Sequence, residues 1–475
     1  MSRGYGADVA PSHDFAADRV IVVGLGQSGI AVARKLVDLG AQVIAFDNAD
    51  SEPVRAAAAE LAAAGVETHI RELAPADLTQ AKLVVVSPGV PPSSPSLAVA
   101  RQAGVEVISE MELAYRLCGG TIVAITGTNG KTTTATLAGR LFEAGGFDTV
   151  VAGNIAPAFI GALKPDDTDT VYVIEVSSFQ LATIRRFRPR VAVVLNITPD
   201  HLNWHGTMDE YVAAKARVFE NQEADDFAVL NRDDEMVWSL AESVASQAVS
   251  FSRGPLDHGV CVVDGWIVER GIRGNGDGGL ADRDQRRILD VAALTIPGAH
   301  NLENALAATT AARCCGVGID AIARALSAFE GVEHRLEKVR SVEGVTYWND
   351  SKATNPDATI KALEAFEKPV IVLLGGRNKG NAFDEVARLA RSRAKRAIVF
   401  GEAAGEIGEA LARAGVEREV VASMADAVSL AIREATEGDN VVLSPACASF
   451  DEFDSFEHRG RVFKQLVTEE KGRVR

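Results

Sequence analysis

The chain has 475 residues, enough for two to four domains with buried cores. Its net charge of −16 excludes a general nucleic-acid binder, which needs a basic surface to displace counterions. Composition is that of a globular protein (47% hydrophobic, 24% charged), and no apolar run reaches the length of a bilayer crossing.

Residues 1–18 have no apolar core of signal-peptide length and read as a frayed tail. The five cysteines, Cys118, Cys261, Cys314, Cys315 and Cys447, are scattered and form no CxxC pair. They predict a reducing cytoplasm, without a disulfide framework or a zinc site.

The first block, 19–119, opens on the strand-like run RVIVVGLG at Arg19–Gly26. Further strands are predicted at Gln42–Asp47, Leu83–Gly89 and Val105–Glu110, with Ala-rich helices at Ile30–Leu39 and Pro53–Ala64. Strand alternating with helix implies a parallel, doubly wound, Rossmann-like sheet. Gly24-Leu-Gly26-Gln-Ser-Gly29 follows the first strand, and Asp47 ends the second. This dinucleotide fingerprint admits two readings: a phosphate or pyrophosphate at the helix N-terminus, with NAD as one candidate, or glycines that pack strand against helix. Ser87-Pro88-Gly89 closes the third strand near the same edge.

The second block, 120–331, opens on the strand Thr121–Gly127, which runs into TGTNGKTTT at Thr126–Thr134. Glycines turn backbone N–H groups inward around phosphate oxygens, and the helix N-terminus adds a favourable dipole. Lys131 supplies a point charge, and a Thr hydroxyl ligates Mg²⁺. The general pattern wants Gly at 125, where this chain has Ile125, so the loop is a variant. Further strands are predicted at Val171–Val176 and Val191–Ile197. Glu175 and the Asp200-His201 pair stand at strand ends, where parallel sheets place ligands. Glu175 is a candidate Mg²⁺ ligand, with His201 as a second ligand or orienter. His205 reads as a satisfied surface histidine, and Lys215, in YVAAKARVF, as a solvated helix lysine. Over 251–290 the pattern turns Gly-rich, and GVCVVDGWIVER alternates like an antiparallel hairpin, which predicts a small β element. An Ala-rich helix follows over Asn301–Cys315.

The third block, 332–475, is again α/β and Rossmann-like, with strands predicted at Val345–Asn349, Val370–Gly375, Arg396–Gly401 and Asn440–Ala446.

TGTNGKTTT, EVSSFQL, NITPDHLNWHG, YVAAKARVF, PGAHNLENALAA, EHRLE, NDSKATNPDA and SPACASFDEFDSFEHRG occur in one order along nearly the whole chain. Together they resemble the Mur ligases of peptidoglycan precursor synthesis. SPACASFDEFDSFEHRG, with GGRNKG at Gly375–Gly380, points to the D-glutamate-adding member. The ATP motifs are shared with sibling ligases for other amino acids and with folylpolyglutamate synthases.

The resemblance implies an ATP-dependent, cytoplasmic, monomeric enzyme of three domains. It would add D-glutamate to UDP-N-acetylmuramoyl-L-alanine through an acyl phosphate. Gly127, Thr128, Asn129, Gly130, Lys131, Thr132 and Thr133 would cradle the ATP phosphates. Asn301 and Asn304 would contact its adenine end, and Arg335, Asp350 and Lys352 would close over the nucleotide. Two Mg²⁺ ions would be held by Thr132, Glu175, His201 and Lys215, the last as a carbamate formed with CO₂. Gln27, Ser28, Asp47, Asn48 and Ser87 would hold uridine and its pyrophosphate, with Asn154 and Gln180 at the muramoyl end. Ala49 stands where a basic residue would be expected to help hold the pyrophosphate. Thr354, Lys379, Ser449 and Phe456 would hold D-glutamate. Lys131, Glu175, His201, Lys215 and Lys352 would carry the catalysis.

Overall fold

The computed structural model describes residues 15–91, 93–272 and 285–469, with Asn203 described by its backbone alone. Two compact units form. One holds the chain up to Val291 together with Glu303–Leu326; the other holds Ala292–Leu302 together with the chain from Ser327 onward.

The first unit contains two sheets. In the first, β1 (Arg19–Val23), β2 (Gln42–Asp47), β3 (Glu67–Ile70), β4 (Ala81–Val86) and β5 (Glu106–Ser109) lie in the order β3-β2-β1-β4-β5, all parallel. Helices cover both faces, so strands such as β1 and β4 are buried on both sides and read as continuous apolar runs. Strand order reverses between β1 and β4, which opens a crevice at their carboxyl ends.

The second sheet has nine strands: β6 (Thr121–Thr126), β7 (Asp148–Gly153), β8 (Thr170–Glu175), β9 (Val191–Val194), β10 (Phe227–Asn231), β11 (Gln247–Ser252), β12 (Gly259–Val263), β13 (Trp266–Arg270) and β14 (Gln285–Asp290). Their order is β14-β13-β12-β11-β10-β9-β6-β8-β7. The predicted hairpin is β12–β13, but it does not stand apart: β12 pairs with β11, so β11–β14 extend the main sheet. Residues 273–284 of that Gly-rich stretch lie outside the described residues.

Within this unit the helix Glu110–Leu117 docks the first sheet on the second. The fully buried Glu112 carboxylate accepts the backbone N–H groups of Arg185, Arg186 and Phe187 at 2.8, 2.9 and 3.1 Å, and Arg116 Nε at 3.1 Å. The packed chain starts before residue 19: Phe15 is buried in the core, and Ala17 N–H bonds Gly40 O at 3.0 Å. The tail reading therefore fails for residues 15–18, and residues 1–14 lie outside the described part.

The second unit carries β15 (Glu337–Val342), β16 (Val345–Asn349), β17 (Val370–Gly375), β18 (Ala394–Phe400), β19 (Arg418–Val420) and β20 (Asn440–Ala446). The order is β15-β16-β20-β17-β18-β19, parallel except for the β15–β16 pair.

Gly29 shows how tightly the first helix sits on its strand: a Cβ there would collide with Gly24 O, whereas one at Gly26 would meet nothing within 4 Å. Gly29→Ala should therefore cost about 3 kcal/mol of stability, and Gly26→Ala about 1 kcal/mol or less. Urea unfolding checks the contrast, and equal costs would contradict the close packing.

Candidate active site

The loop after β6 is shaped by its neighbours. Gly130 has φ +84°, and a Cβ there would strike Asn304 Oδ1, so only glycine fits. Asn196, after β9, holds the loop by accepting Thr128 N–H at its carbonyl (2.9 Å) and Asn129 N–H at its side chain (2.8 Å). The helix Lys131–Ala144 starts here and aims its N-terminus at the turn. Ile125, where the general pattern has Gly, is a fully buried strand residue paired with Glu175 and Val193. Lys131 Nζ folds back on the loop, donating to Gly127 O at 2.9 Å and Thr128 O at 2.8 Å. Thr133 is buried behind the loop.

Glu175 ends β8 and is only 2% exposed. Its carboxylate accepts Thr132 Oγ1 at 2.8 Å and Asn154 Nδ2 at 2.9 Å, both neutral donors. No lysine or arginine among the described residues pairs with it by hydrogen bond or ion pair. A buried carboxylate held only by neutral groups suits a cation. His201 does not join this group by any hydrogen bond or ion pair. It sits at φ +51° on an exposed turn, with Nε2 3.4 Å from Asp200 Oδ2 and its ring 4.9 Å from that of Phe179.

Two readings on the helices Leu202–His205 and Met208–Ala216 are overturned. Lys215 is 1% exposed, not solvated, and donates to Gly127 O at 2.9 Å, with Nζ 4.6 Å from the Tyr211 ring centre. Burial, then the Lys131 charge, pulls its pKa from 10.5 down to about 6. His205 is buried too: Nε2 lies 2.9 Å from Ser178 Oγ, and the ring stacks on Phe179 and packs against Trp204 and Tyr211. Burial lowers its pKa and favours the neutral imidazole. Tyr211, which spacing alone did not single out, joins the cluster to the loop: its hydroxyl is 3.1 Å from Thr128 Oγ1.

A cavity of about 830 Å³ opens at the β1/β4 crevice. Gln27, Ser28, Asp47, Asn48, Ser87, Asn154 and Gln180, all seven residues expected at the UDP-substrate end, line it. Asp47 Oδ2 accepts Leu25 N–H at 2.7 Å, and Ser87 Oγ donates to Gly24 O at 2.9 Å, so both side chains brace the glycine turn. Gln180 Oε1 accepts from Ser177 N and Oγ, each at 2.9 Å.

In the second unit, Asp350 follows β16 and accepts Leu336 N–H at 3.1 Å and Ser444 Oγ at 2.8 Å. Burial raises its pKa to about 7. Arg335 lies one residue before Leu336, and its charge opposes that rise. Lys352 and Phe456, expected on different ligands, are in contact: Nζ is 3.8 Å from the ring centre. Ser449 is buried just after β20, Thr354 is half-buried and Lys379 is exposed after β17. Asn301 caps its own turn by donating to Pro297 O at 2.7 Å. Arg459 was not anticipated. Wholly buried, it bonds Ser351 Oγ and O (3.0 and 2.8 Å) and Cys447 O (3.1 Å), and so ties the lysine loop to the strand-end loop after β20.

Between the folded pKa of Lys215, about 6, and its free value of 10.5, the unfolded chain binds a proton that the folded chain lacks. Stability must therefore rise with pH across that window. In CO₂-free buffer the stability of wild type relative to Lys215→Met should grow by about 1.4 kcal/mol per pH unit from about pH 7 to about pH 9. A flat difference in denaturant melts would show that the lysine stays charged.

Residues 18–109 match the MurD-like N-terminal domain of Mur ligases, 125–312 the Mur ligase middle domain, and 334–447 the Mur ligase glutamate ligase domain. The UDP-N-acetylmuramoylalanine–D-glutamate ligase of Pelotomaculum thermopropionicum is 48% identical over 96% of this chain and 98% of its own. That of Koribacter versatilis is 46% identical over 96% and 98%. Among solved structures, the UDP-N-acetylmuramate–alanine ligase of Thermotoga maritima shares the fold at TM-score 0.58 and 21% identity, covering 95% of this chain and 100% of that one. With three domain matches in register and near-full-length relatives above 40% identity, this chain belongs to the Mur ligase family, among the UDP-N-acetylmuramoylalanine–D-glutamate ligases.

Proposed function

We propose that this chain joins D-glutamate to UDP-N-acetylmuramoyl-L-alanine at the expense of ATP, as a cytoplasmic monomer. One observation carries the reading. Asn154 lines the 830 Å³ cavity and also donates to Glu175, which in turn holds Thr132 of the phosphate loop. An acceptor whose nucleotide end fills that cavity would present its carboxylate beside the loop. Carboxylate oxygen then attacks the γ-phosphorus, the bond to ADP breaks, and an acyl phosphate forms. The D-glutamate amine attacks the acyl carbon, inorganic phosphate leaves, and the amine proton passes to solvent.

The residues divide this work. Gly127, Thr128, Asn129, Gly130 and the helix N-terminus offer backbone N–H groups to phosphate oxygens. Lys131 would exchange its two carbonyl partners for the terminal phosphates, a stronger charge-assisted contact. Thr132, Glu175, His201 and Lys215 as its carbamate are the residues we assign to Mg²⁺. The bound ions supply positive charge against the phosphate oxygens. A neutral, buried Lys215 suits carbamate formation: its lone pair attacks CO₂, a proton leaves, and the product is an anion. The acceptor lies with Gln27, Ser28, Asp47, Asn48, Ser87, Asn154 and Gln180. Asn301, Asn304, Arg335, Asp350 and Lys352 serve ATP, and Thr354, Lys379, Ser449 and Phe456 serve D-glutamate. The first functional block takes in the packed residues 15–18 and runs to 119; the others run over 120–331 and 332–475.

With ATP and UDP-N-acetylmuramoyl-L-alanine present, phosphate release should require D-glutamate, and L-alanine, L-lysine or meso-diaminopimelate should not replace it. Release with one of these instead would assign a sibling activity. Lys215→Ala should lose roughly 10²- to 10³-fold in rate and regain part of it with added formate or acetate. Wild-type rate in the untreated variant would remove the carbamate from the mechanism.

A further inference from the structure

The nucleotide cavity is poor in positive charge. Among the described residues that line it, Arg71 is the one lysine or arginine, against the carboxylates of Asp47 and Glu72. Both acids are engaged by the protein. Asp47 accepts Leu25 N–H at 2.7 Å and Ala49 N–H at 2.9 Å. Glu72 accepts Asn48 Nδ2 at 2.7 Å and Ser96 Oγ. They shape the pocket and leave Arg71 as the cation facing its contents.

The sheet explains how Arg71 comes to be there. Ile70, the last residue of β3, pairs with Asp47, the last residue of β2. Arg71 therefore leaves its strand beside the Asp47–Ala49 turn, where residue 49 carries no charge. Its guanidinium is fixed before any ligand arrives. Nη1 donates to Asp77 Oδ2 at 2.7 Å and to Glu72 O at 2.9 Å, Nη2 donates to Asp77 Oδ1 at 2.9 Å, and the group sits 5.1 Å from the Phe46 ring centre. The pairing holds the Asp77 carboxyl down at about 2, so the ion pair persists at neutral pH. The Nε–H and one Nη2–H have no acceptor in these contacts. A planar cation braced on one edge, with donors free on another, is preorganised for an oxyanion.

We propose that Arg71 binds the diphosphate of the nucleotide acceptor, supplying from the end of β3 the positive charge that Ala49 does not. This rests on the functional reading above only in naming the nucleotide; the site itself would take a uridine diphosphate group.

Titration calorimetry with UDP tests it on the full chain. Arg71→Gln should weaken UDP binding about 10- to 100-fold and flatten its dependence on ionic strength. Arg71→Lys should recover part of the affinity through its charge. Asp77→Asn separates binding from bracing: it loosens the guanidinium but keeps the cation, so its UDP affinity should fall several-fold less than that of Arg71→Gln. In the ligase assay, Arg71→Gln should raise the KM for the UDP-linked acceptor by the same factor and leave kcat and the KM values of ATP and D-glutamate within about twofold. Wild-type UDP affinity in Arg71→Gln would overturn the inference, and so would an Asp77→Asn loss equal to that of Arg71→Gln. If wild type binds UDP through Arg71 but releases no phosphate with D-glutamate, the functional reading fails and the assignment of Arg71 stands.

Discussion

Two lysine amines bond one carbonyl. Lys131 Nζ and Lys215 Nζ each lie 2.9 Å from Gly127 O. Two ammonium groups on one carbonyl oxygen repel each other, and a buried setting strengthens the repulsion. Burial of Lys215, then the Lys131 charge, lowers its pKa to about 6, so the buried amine gives up its proton and the repulsion with it. The phosphate loop is thus built around one charged and one neutral amine. Tyr211 lies against Lys215 and bonds Thr128, so the neutral lysine and the loop backbone share one support.

That cluster sits where it does because parallel strands end together. Gly127 follows β6, Asn154 follows β7, Glu175 ends β8 and Asn196 follows β9. The register sets Ile125 beside Glu175 on one side and Thr126 beside Val194 on the other. Neighbouring strand ends therefore deliver a backbone cradle, a carboxylate and an amide from segments 21 to 67 residues apart. In the first sheet the same geometry brings Ser87 to Gly24, 63 residues away. Both sheets belong to one packed unit joined through Glu112, and this lets Asn154 and Gln180, just beyond strands of the second sheet, line a cavity floored by the first.

Much of this could be read from the chain. Strands buried on both faces, such as β8 and β17, announce themselves as unbroken apolar runs, and the glycine-rich turns mark where strands end. The short, half-exposed β3 and β15 carry polar residues and gave no such signal. His205 was misread because its burial depends on rings from separate segments, Phe179 and Tyr211, closing around it. Arg71 was invisible for a similar reason. Its value comes from the β2–β3 register, which no local pattern encodes. Lys215 lay between these cases: spacing on a helix suggested solvent, and the motif around it suggested chemistry.

A chain of net charge −16 that handles anionic ligands must control charge locally. It does so by treating its acids and its cations differently. Asp47 is tied to two backbone N–H groups, and Glu112 to three together with Arg116; Glu175 is held by two neutral side chains. Backbone donors fixed by the fold cannot follow a ligand, so Asp47 and Glu112 stay where they are. Lys131 is held by carbonyl oxygens, and Arg71 keeps donors beyond its partner carboxylate. A phosphate oxygen would offer Lys131 the full negative charge that a carbonyl lacks, and would meet the donors that Arg71 does not spend on Asp77. The acids thus define the shape of the site and the cations remain available to its contents, so recognition of an anion does not require the molecule as a whole to be basic.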